Sequence, residues 1–278
     1  MTTESKTHPA PLTQLRSALD AGVDTLYRYS AFDAGRLALL LKGKIRLSAP
    51  EHFNDPWDCA VHFRTPAKDD HERRKAFIDW SLGWVKGADK EAGLRALLNE
   101  PGGIEFVLSD LSAGRSRSIR SAFRMCCLTA RPDSILMWAH YARSGTGMCV
   151  GFNVVDSIFA NAHQVQYASE HPTFEIVDGQ ADGIGPLFLK AAAWSYEQEY
   201  RLAYPPHPVS YPSMPPVDAE DYVTFSPDAF VKVIVGPMVS SHDLYLAKEL
   251  IQSANPRLSL QRVWPVAGQY AYEIIPVE

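Results

Sequence analysis

The sequence predicts an α+β fold: a mixed β-sheet core, bent or split, carrying a helical insertion at about residues 66–122. Three observations lead there. Short runs rich in aromatic and β-branched residues recur along the chain, punctuated by Gly, Pro, Asn and Asp. They mix with helical patterns, but not in the strict alternation of a doubly wound parallel sheet. Three helical patterns also follow one another between residues 66 and 122. A chain of 278 residues fits one large domain or two small ones. We read residues 10–278 as one domain and residues 1–9 as a disordered tail.

Leu12, Leu15 and Leu19 have helical spacing, which predicts a helix from Thr13 to Ala21 with Gly22 as its stop. Leu26 to Ser30 reads as a strand with Tyr27 and Tyr29 on one face and Leu26 and Arg28 on the other. Asp33 is the expected N-cap of a helix through Leu41, Gly43 closes it, and Lys44 to Ser48 is the next strand. In the segment from Ala49 to Asp58, Asn54 and Asp55 precede Pro56, which favours an Asx-type turn. Phe53 and Trp57 are expected to bury while Asn54, Asp55 and Asp58 face a turn or cleft. The segment reads either as a rigid turn or as a site loop.

Asp69–Trp84, Lys90–Asn99 and Ile104–Ala122 are the three helices of the insertion. The run Arg115, Arg117, Arg120 reads as a solvated helix face or, alternatively, a phosphate-binding one. Arg124 to Thr129 is a buried strand, and Asp133 or Ser134 caps a short helix from Ile135 to Ala142. Gly145 and Gly147 turn into a strand from Met148 to Phe152, followed by a short strand from His163 to Tyr167. A helix is expected around Gly185–Ala193, and a Pro-rich loop over His207–Val217. Val231–Val235, Leu258–Val263 and Tyr272–Ile275 close the sheet, with a helix capped by Ser240 or Ser241 between the first two.

The chemistry concentrates in Trp194-Ser195-Tyr196-Glu197-Gln198-Glu199-Tyr200-Arg201. Read as a strand, it places Glu197, Glu199 and Arg201 on one face. Two carboxylates and a guanidinium on one strand face are costly in a core. They indicate either catalytic carboxylates or an ion pair that fixes the sheet. A metal site on Asp55, Asp58, Glu197 and Glu199 is the hydrolase or nuclease alternative, since oxygen ligands suit Mg²⁺.

The net charge of −5 gives no global signal for nucleic-acid binding. No apolar run approaches a membrane span, and the polar first residues lack the apolar core of a signal peptide. The four cysteines, at 59, 126, 127 and 149, have neither metal-site spacing nor a disulfide framework, so a reducing cytoplasm is expected. The glycine signatures of phosphate-binding loops and dinucleotide folds, the zinc-protease helix motif and the nucleophile elbow are all missing.

Five stretches together resemble a large bacterial family of uncharacterised function. They are Leu26-Tyr27-Arg28-Tyr29; Ser48-Ala49-Pro50 with Phe53-Asn54-Asp55-Pro56-Trp57-Asp58; Met137-Trp138-Ala139-His140-Tyr141-Ala142; Gly147-Met148-Cys149-Val150-Gly151-Phe152; and Trp194 to Arg201. The layout is also distantly similar to the ADP-ribosyltransferase fold. That resemblance implies NAD as substrate and an unknown macromolecular acceptor, with a toxin or phage-defence role by analogy. It implies Glu199 as the carboxylate that stabilises the ribosyl cation and Glu197 as the acid that holds the acceptor. Arg28 would neutralise the pyrophosphate, and Ser48 would match the strand-borne serine. Tyr27, Trp138 or Tyr141 would stack on a ring, and His140 would bond a ribose hydroxyl. Asn54, Asp55 and Arg201 complete the implied cofactor-binding set. A non-catalytic binding or sensor module is the alternative from another class.

Overall fold

The computed structural model describes residues 15–177, 184–206 and 214–277. The predicted tail at residues 1–9 and most of the Pro-rich loop lie outside them. Two units divide the chain. One comprises Pro50–Ala122 and Gln166–Ala192; the other comprises Leu15–Ala49, Phe123–Val165 and Ala193–Glu278. In chain order the strands are β1 (Thr25–Ser30), β2 (Lys44–Arg46), β3 (Arg124–Thr129), β4 (Met148–Asn153), β5 (His163–Gln164) and β6 (Gln166–Ala168). They continue as β7 (Leu189–Ala191), β8 (Glu199–Tyr204), β9 (Tyr222–Thr224), β10 (Phe230–Val235), β11 (Ser259–Pro265) and β12 (Tyr272–Pro276). The helices are α1 (Ala34–Leu41), α2 (His71–Gly83), α3 (Ala88–Asn99), α4 (Gly103–Ala122), α5 (Ile135–Tyr141) and α6 (Ser241–Ala254).

The second unit is built on an eight-stranded mixed sheet in the order β12-β11-β10-β4-β1-β3-β8-β5. Only β10 and β11 pair in parallel, joined by α6 as a crossover; the other pairs are antiparallel. The protein is thus α+β with a large mixed sheet, as the sequence predicts. The sheet opens between β1 and β3, which are in register at Tyr27 and Thr129 alone. Beyond that point Ser48 exchanges two backbone bonds with Met125. The period-2 alternation separates two cores. On one face Leu26, Val150, Phe152, Leu202, Val233 and Val235 pack with Leu37 and Leu40 of α1 and Ala247 and Ile251 of α6. Phe152 is fully buried and stacks on Phe159 at 4.3 Å. Burying a ring of this size contributes about 1.5–3 kcal/mol. On the other face α5 lays Met137 and Trp138 over Tyr29, Cys149, Ile234 and Val263.

The predicted caps are in place. The side chain of Asp33 accepts from the Arg36 N–H at 2.6 Å, and Ser134 and Ser240 cap α5 and α6. The predicted helix over residues 13–21 is a correction, because its described part forms a bridge and turns. The Ser17 hydroxyl donates to the Asp20 carboxylate at 2.6 Å and accepts the Asp20 backbone N–H at 3.1 Å, and this local pairing competes with helical bonding. Lys44–Ser48 is strand only to Arg46 and pairs with β9 in a separate ribbon. The expected strand from His163 to Tyr167 divides into β5 and β6, which enter different sheets.

In the first unit the three predicted helices are observed as α2, α3 and α4, beside the parallel pair β6–β7. A helix over Gly185–Ala193 gives way to a 3-10 turn, Gly185–Phe188, and then β7. The hydroxyls of Ser112 and Ser116 on α4 accept the N–H groups of Phe63 and Val61, at 3.0 and 2.9 Å. In the turn at residues 53–58, Asn54 is exposed as expected and Phe53 is half-buried, but the expectation fails at Trp57, Asp55 and Asp58. Trp57 is 59% exposed, whereas Asp55 and Asp58 are buried. Asp55 accepts the Trp57 N–H at 2.8 Å, the predicted Asx bond, and Asp58 lies 3.8 Å from the buried Lys190 ammonium. Burial follows those partners, because a buried carboxylate needs them more than an indole needs cover. Of the basic run, Arg120 is tied inward and donates to the carbonyls of Pro56 and Asp58.

Candidate functional site

The stretch from Trp194 to Arg201 is not one strand. Ala192–Glu197 forms 3-10 turns, Gln198 takes a left-handed conformation at φ 44°, and β8 begins only at Glu199. The turn carries Glu197 off the strand while the alternation still aligns Glu199 with Arg201. Both carboxylates are buried, at 3% and 4% exposure, and Arg201 is at 0%.

Each charge has a fixed geometry. Arg201 grips Glu199 with two parallel bonds, Nε to Oε1 at 2.7 Å and Nη2 to Oε2 at 3.0 Å. Such a fork is stronger and more directional than a single bond. The Tyr141 hydroxyl donates to Glu197 Oε1 at 2.6 Å, and the Thr129 hydroxyl donates to the Glu197 carbonyl at 2.5 Å. Helix α5 and strand β3 thus locate Glu197 from its side chain and its backbone.

Register places Glu199 opposite Thr129, Thr129 opposite Tyr27, Tyr27 opposite Gly151, and Gly151 opposite Lys232. These five residues form one row across five strands on a single face. A Cβ at Gly151 would lie 2.7 Å from Lys232 Cγ and 3.1 Å from Tyr27 Cε1, so the missing side chain admits both neighbours. The Lys232 ammonium sits 5.9 Å from the centre of the Tyr27 ring. Tyr27, Tyr141 and Tyr196 are half-buried against the α5 core, and exposed His140 lies 6.3 Å from each of the Tyr141 and Tyr196 rings. The row was missed in the sequence for Thr129 and Lys232. The signal for Gly151 was legible: a lone glycine inside a strand marks a close approach.

Of the predicted residues, Tyr27, His140, Tyr141, Glu197, Glu199 and Arg201 share this region, with Trp138 beneath them. Trp138 is 1% exposed and its indole N–H donates to the Pro132 carbonyl at 2.9 Å. Arg28 points to the opposite face, where it donates to the Arg46 carbonyl at 2.7 Å and lies 3.6 Å from Cys126 Sγ. Ser48 stands beside Met125, four residues from Thr129 along β3, or about 13 Å. Asn54 and Asp55 belong to the first unit, as does Asp58. Among the described residues no group of three or more His, Cys, Asp and Glu is placed to hold a metal ion.

Burial sets the remaining titrations nearby. It pushes the Tyr29 hydroxyl, which donates to the Arg131 carbonyl at 2.8 Å, far above its usual range. It also raises the thiols of Cys126 and Cys149 and lowers the His163 imidazole. None of the four cysteines is in a disulfide, and three of them are buried.

Fold and site together define an α+β protein with buried carboxylates and an aromatic, cationic row on one face of a mixed sheet. A family model described as "Protein of unknown function (DUF2971)" matches residues 137–202, the span from α5 into β8. The match supports the resemblance to a family of uncharacterised function. No curated protein and no solved structure matches the chain. Among the described residues no helix is long and apolar enough to cross a membrane.

Proposed function

We propose that the protein consumes NAD, transferring its ADP-ribosyl group at the sheet face that carries Glu197 and Glu199. The observation that carries this reading is the pair of buried carboxylates, each held by a named donor and set beside half-buried tyrosines. Breaking the bond between nicotinamide and ribose builds positive charge on the ribose. A carboxylate fixed in advance stabilises that charge without reorganising. Glu199 has this role, Glu197 orients the acceptor, and Tyr27 or Tyr196 offers a ring to stack upon. Arg28 faces away, so Lys232 is the cation assigned to the pyrophosphate here. The acceptor is a macromolecule.

A second reading rests on one specific observation. The Arg201 fork engages both oxygens of Glu199 in a region closed to solvent, as a structural lock would. On that reading the domain is a binding or sensor module without turnover.

One experiment separates them. Melting temperature is followed with increasing NAD, and nicotinamide release is measured, for wild type, Glu197→Gln and Lys232→Met. The transferase reading expects a melting temperature that rises with NAD. It expects Lys232→Met to weaken that rise. Glu197→Gln, whose amide oxygen still accepts from Tyr141, should keep the fold and lose nicotinamide release. No thermal response and no release at millimolar NAD would leave the lock.

A further inference from the structure

The first unit carries a cavity lined by the turn that follows Pro50 and by the end of α4. Its volume is about 650 Å³, within the range of about 300–1,000 Å³ usual for small-molecule sites. The polar groups on it include Arg117, Ser118 and Arg120 of the helix and Glu51, Asn54 and Asp55 of the turn.

Arg120 is the feature that makes this a prepared site. Its Nε donates to the Asp58 carbonyl at 2.9 Å and its Nη2 to the Pro56 carbonyl. These two nitrogens form one edge of the planar guanidinium, so two backbone carbonyls fix its plane. Nη1 has no partner among the described residues. A long cation usually loses rotamer freedom when it grips a ligand. Here folding has already removed that freedom, and the unused edge is set in advance for an oxyanion. Arg117 stands three residues earlier on the same helix, about 5–6 Å away between Cβ atoms. It is exposed, and among the described residues its guanidinium has neither a hydrogen bond nor an ion pair. Two neighbouring guanidiniums repel, and an anion between them relieves the repulsion. The Ser118 hydroxyl and the Asn54 amide are likewise unbonded among the described residues. The C-terminal end of α4 carries partial negative charge, so the attraction comes from the two arginines and not from the helix itself.

The turn contributes the opposite sign. Asp55 is buried and accepts the Trp57 backbone N–H with Oδ1 at 2.8 Å. Glu51 is exposed and lies 3.9 Å from His52 Nε2. A bare phosphate would leave most of the volume empty and both carboxylates unused. A nucleic-acid strand, charged at every step, would be repelled by them. A ligand with one anionic head and a neutral body rich in hydroxyls satisfies both parts, because ionised carboxylates only accept and hydroxyls can donate to them. We propose that this cavity binds a phosphorylated sugar. Its phosphate oxygens accept from Arg117, from Nη1 of Arg120 and from the Ser118 hydroxyl, and its sugar hydroxyls donate to Glu51 and Asp55. The site lies wholly within the first unit and does not depend on the NAD reading.

The test is calorimetric titration of the full chain, at fixed salt, with ribose 5-phosphate, glucose 6-phosphate, glucose, inorganic phosphate and a short single-stranded oligonucleotide. At least one sugar phosphate should bind, and more tightly than glucose or inorganic phosphate. Arg117→Ala should weaken it at least about tenfold, the scale of one lost charge-assisted hydrogen bond. Arg117 is exposed and holds no other group, so the melting temperature should stay at the wild-type value and report an intact fold. Glu51→Gln should narrow the preference for the sugar phosphate over inorganic phosphate, since that carboxylate accepts from the sugar and repels the bare anion. The proposal is overturned if neither sugar phosphate binds at millimolar concentration, or if Arg117→Ala binds as the wild type does. Inorganic phosphate that binds equally well overturns it in favour of a general anion site. An oligonucleotide that binds more tightly than both sugar phosphates overturns it in favour of a nucleic-acid backbone.

Discussion

Replacing Glu199 by Gln tests the central geometry through stability. The carboxylate is 4% exposed and Arg201 is at 0%, joined by bonds of 2.7 and 3.0 Å. The amide presents one acceptor oxygen in place of two and carries no charge. The guanidinium then stays buried beside a neutral partner. Breaking a buried pair from one side costs about 3–5 kcal/mol. For units of about 150–250 residues each kcal/mol moves the melting temperature by about 2–4 °C, so Glu199→Gln should fall by about 6–20 °C. The double variant Glu199→Gln with Arg201→Met removes both charges, and it should recover much of that loss because the guanidinium that lost its fork is removed as well. Thermal melts of the wild type, both single variants and the double variant form the cycle. A Glu199→Gln protein that melts within about 2 °C of wild type refutes the reasoning, because the fork would then contribute little. It also follows that lost turnover in Glu199→Gln cannot alone assign catalysis, which is why Glu197→Gln is the variant for activity.

Glycine substitutions should separate in sign. At Gly147 a Cβ would lie 2.2 Å from the Ser30 carbonyl oxygen and 2.8 Å from that of Ala142. Gly147→Ala should therefore cost about 1–3 kcal/mol by urea denaturation, whereas Gly93→Ala, in α3 with nothing within 4 Å, should stabilise by about 0.5–1 kcal/mol. Acid should weaken the fold through His163 and His171, whose folded basicity is held below the ordinary value of 6.5 chiefly by burial. The unfolded chain takes up protons that the folded chain refuses, so their contribution is full above that pH and is lost as pH falls below it. The melting temperature should drop between about pH 7.5 and about pH 5.5, and the double variant His163→Gln, His171→Gln should drop less. An equal drop would remove both histidines from the explanation.

Local patterns were readable wherever one short segment holds the whole cause. Asp33, Ser134 and Ser240 cap their helices because capping needs a side chain and a backbone N–H two or three residues away. The strand of Arg124–Thr129 was visible from composition, and the faces of Leu26–Ser30 from alternation. The predicted turn at Asp55 formed, but burial was inverted at Trp57, Asp55 and Asp58. The partners that draw Asp58 inward, Lys190 and Arg120, lie far along the chain.

The candidate site was half legible. Glu197, Glu199, Arg201 and Tyr141 stand out by residue type, and two of the five stretches that carry the family resemblance contain them. Their assembly was not readable. The turn at Gln198 parts Glu197 from the strand, and the order of strands sets Lys232, Gly151, Tyr27, Thr129 and Glu199 in one row. The opposite direction of Arg28 followed from alternation, yet the side of the sheet that carries Glu199 did not. By itself the sequence determined most of the helices and strands, though not the turns at Ser17–Asp20, Gly185–Phe188 and Ala192–Glu197, and which side chains carry charge, because propensity, capping and periodicity act over a few residues. Only the tertiary structure decided which charges meet, which are sealed and which ring stays open to solvent. Pairing register and burial are set by contacts between segments that no local pattern encodes.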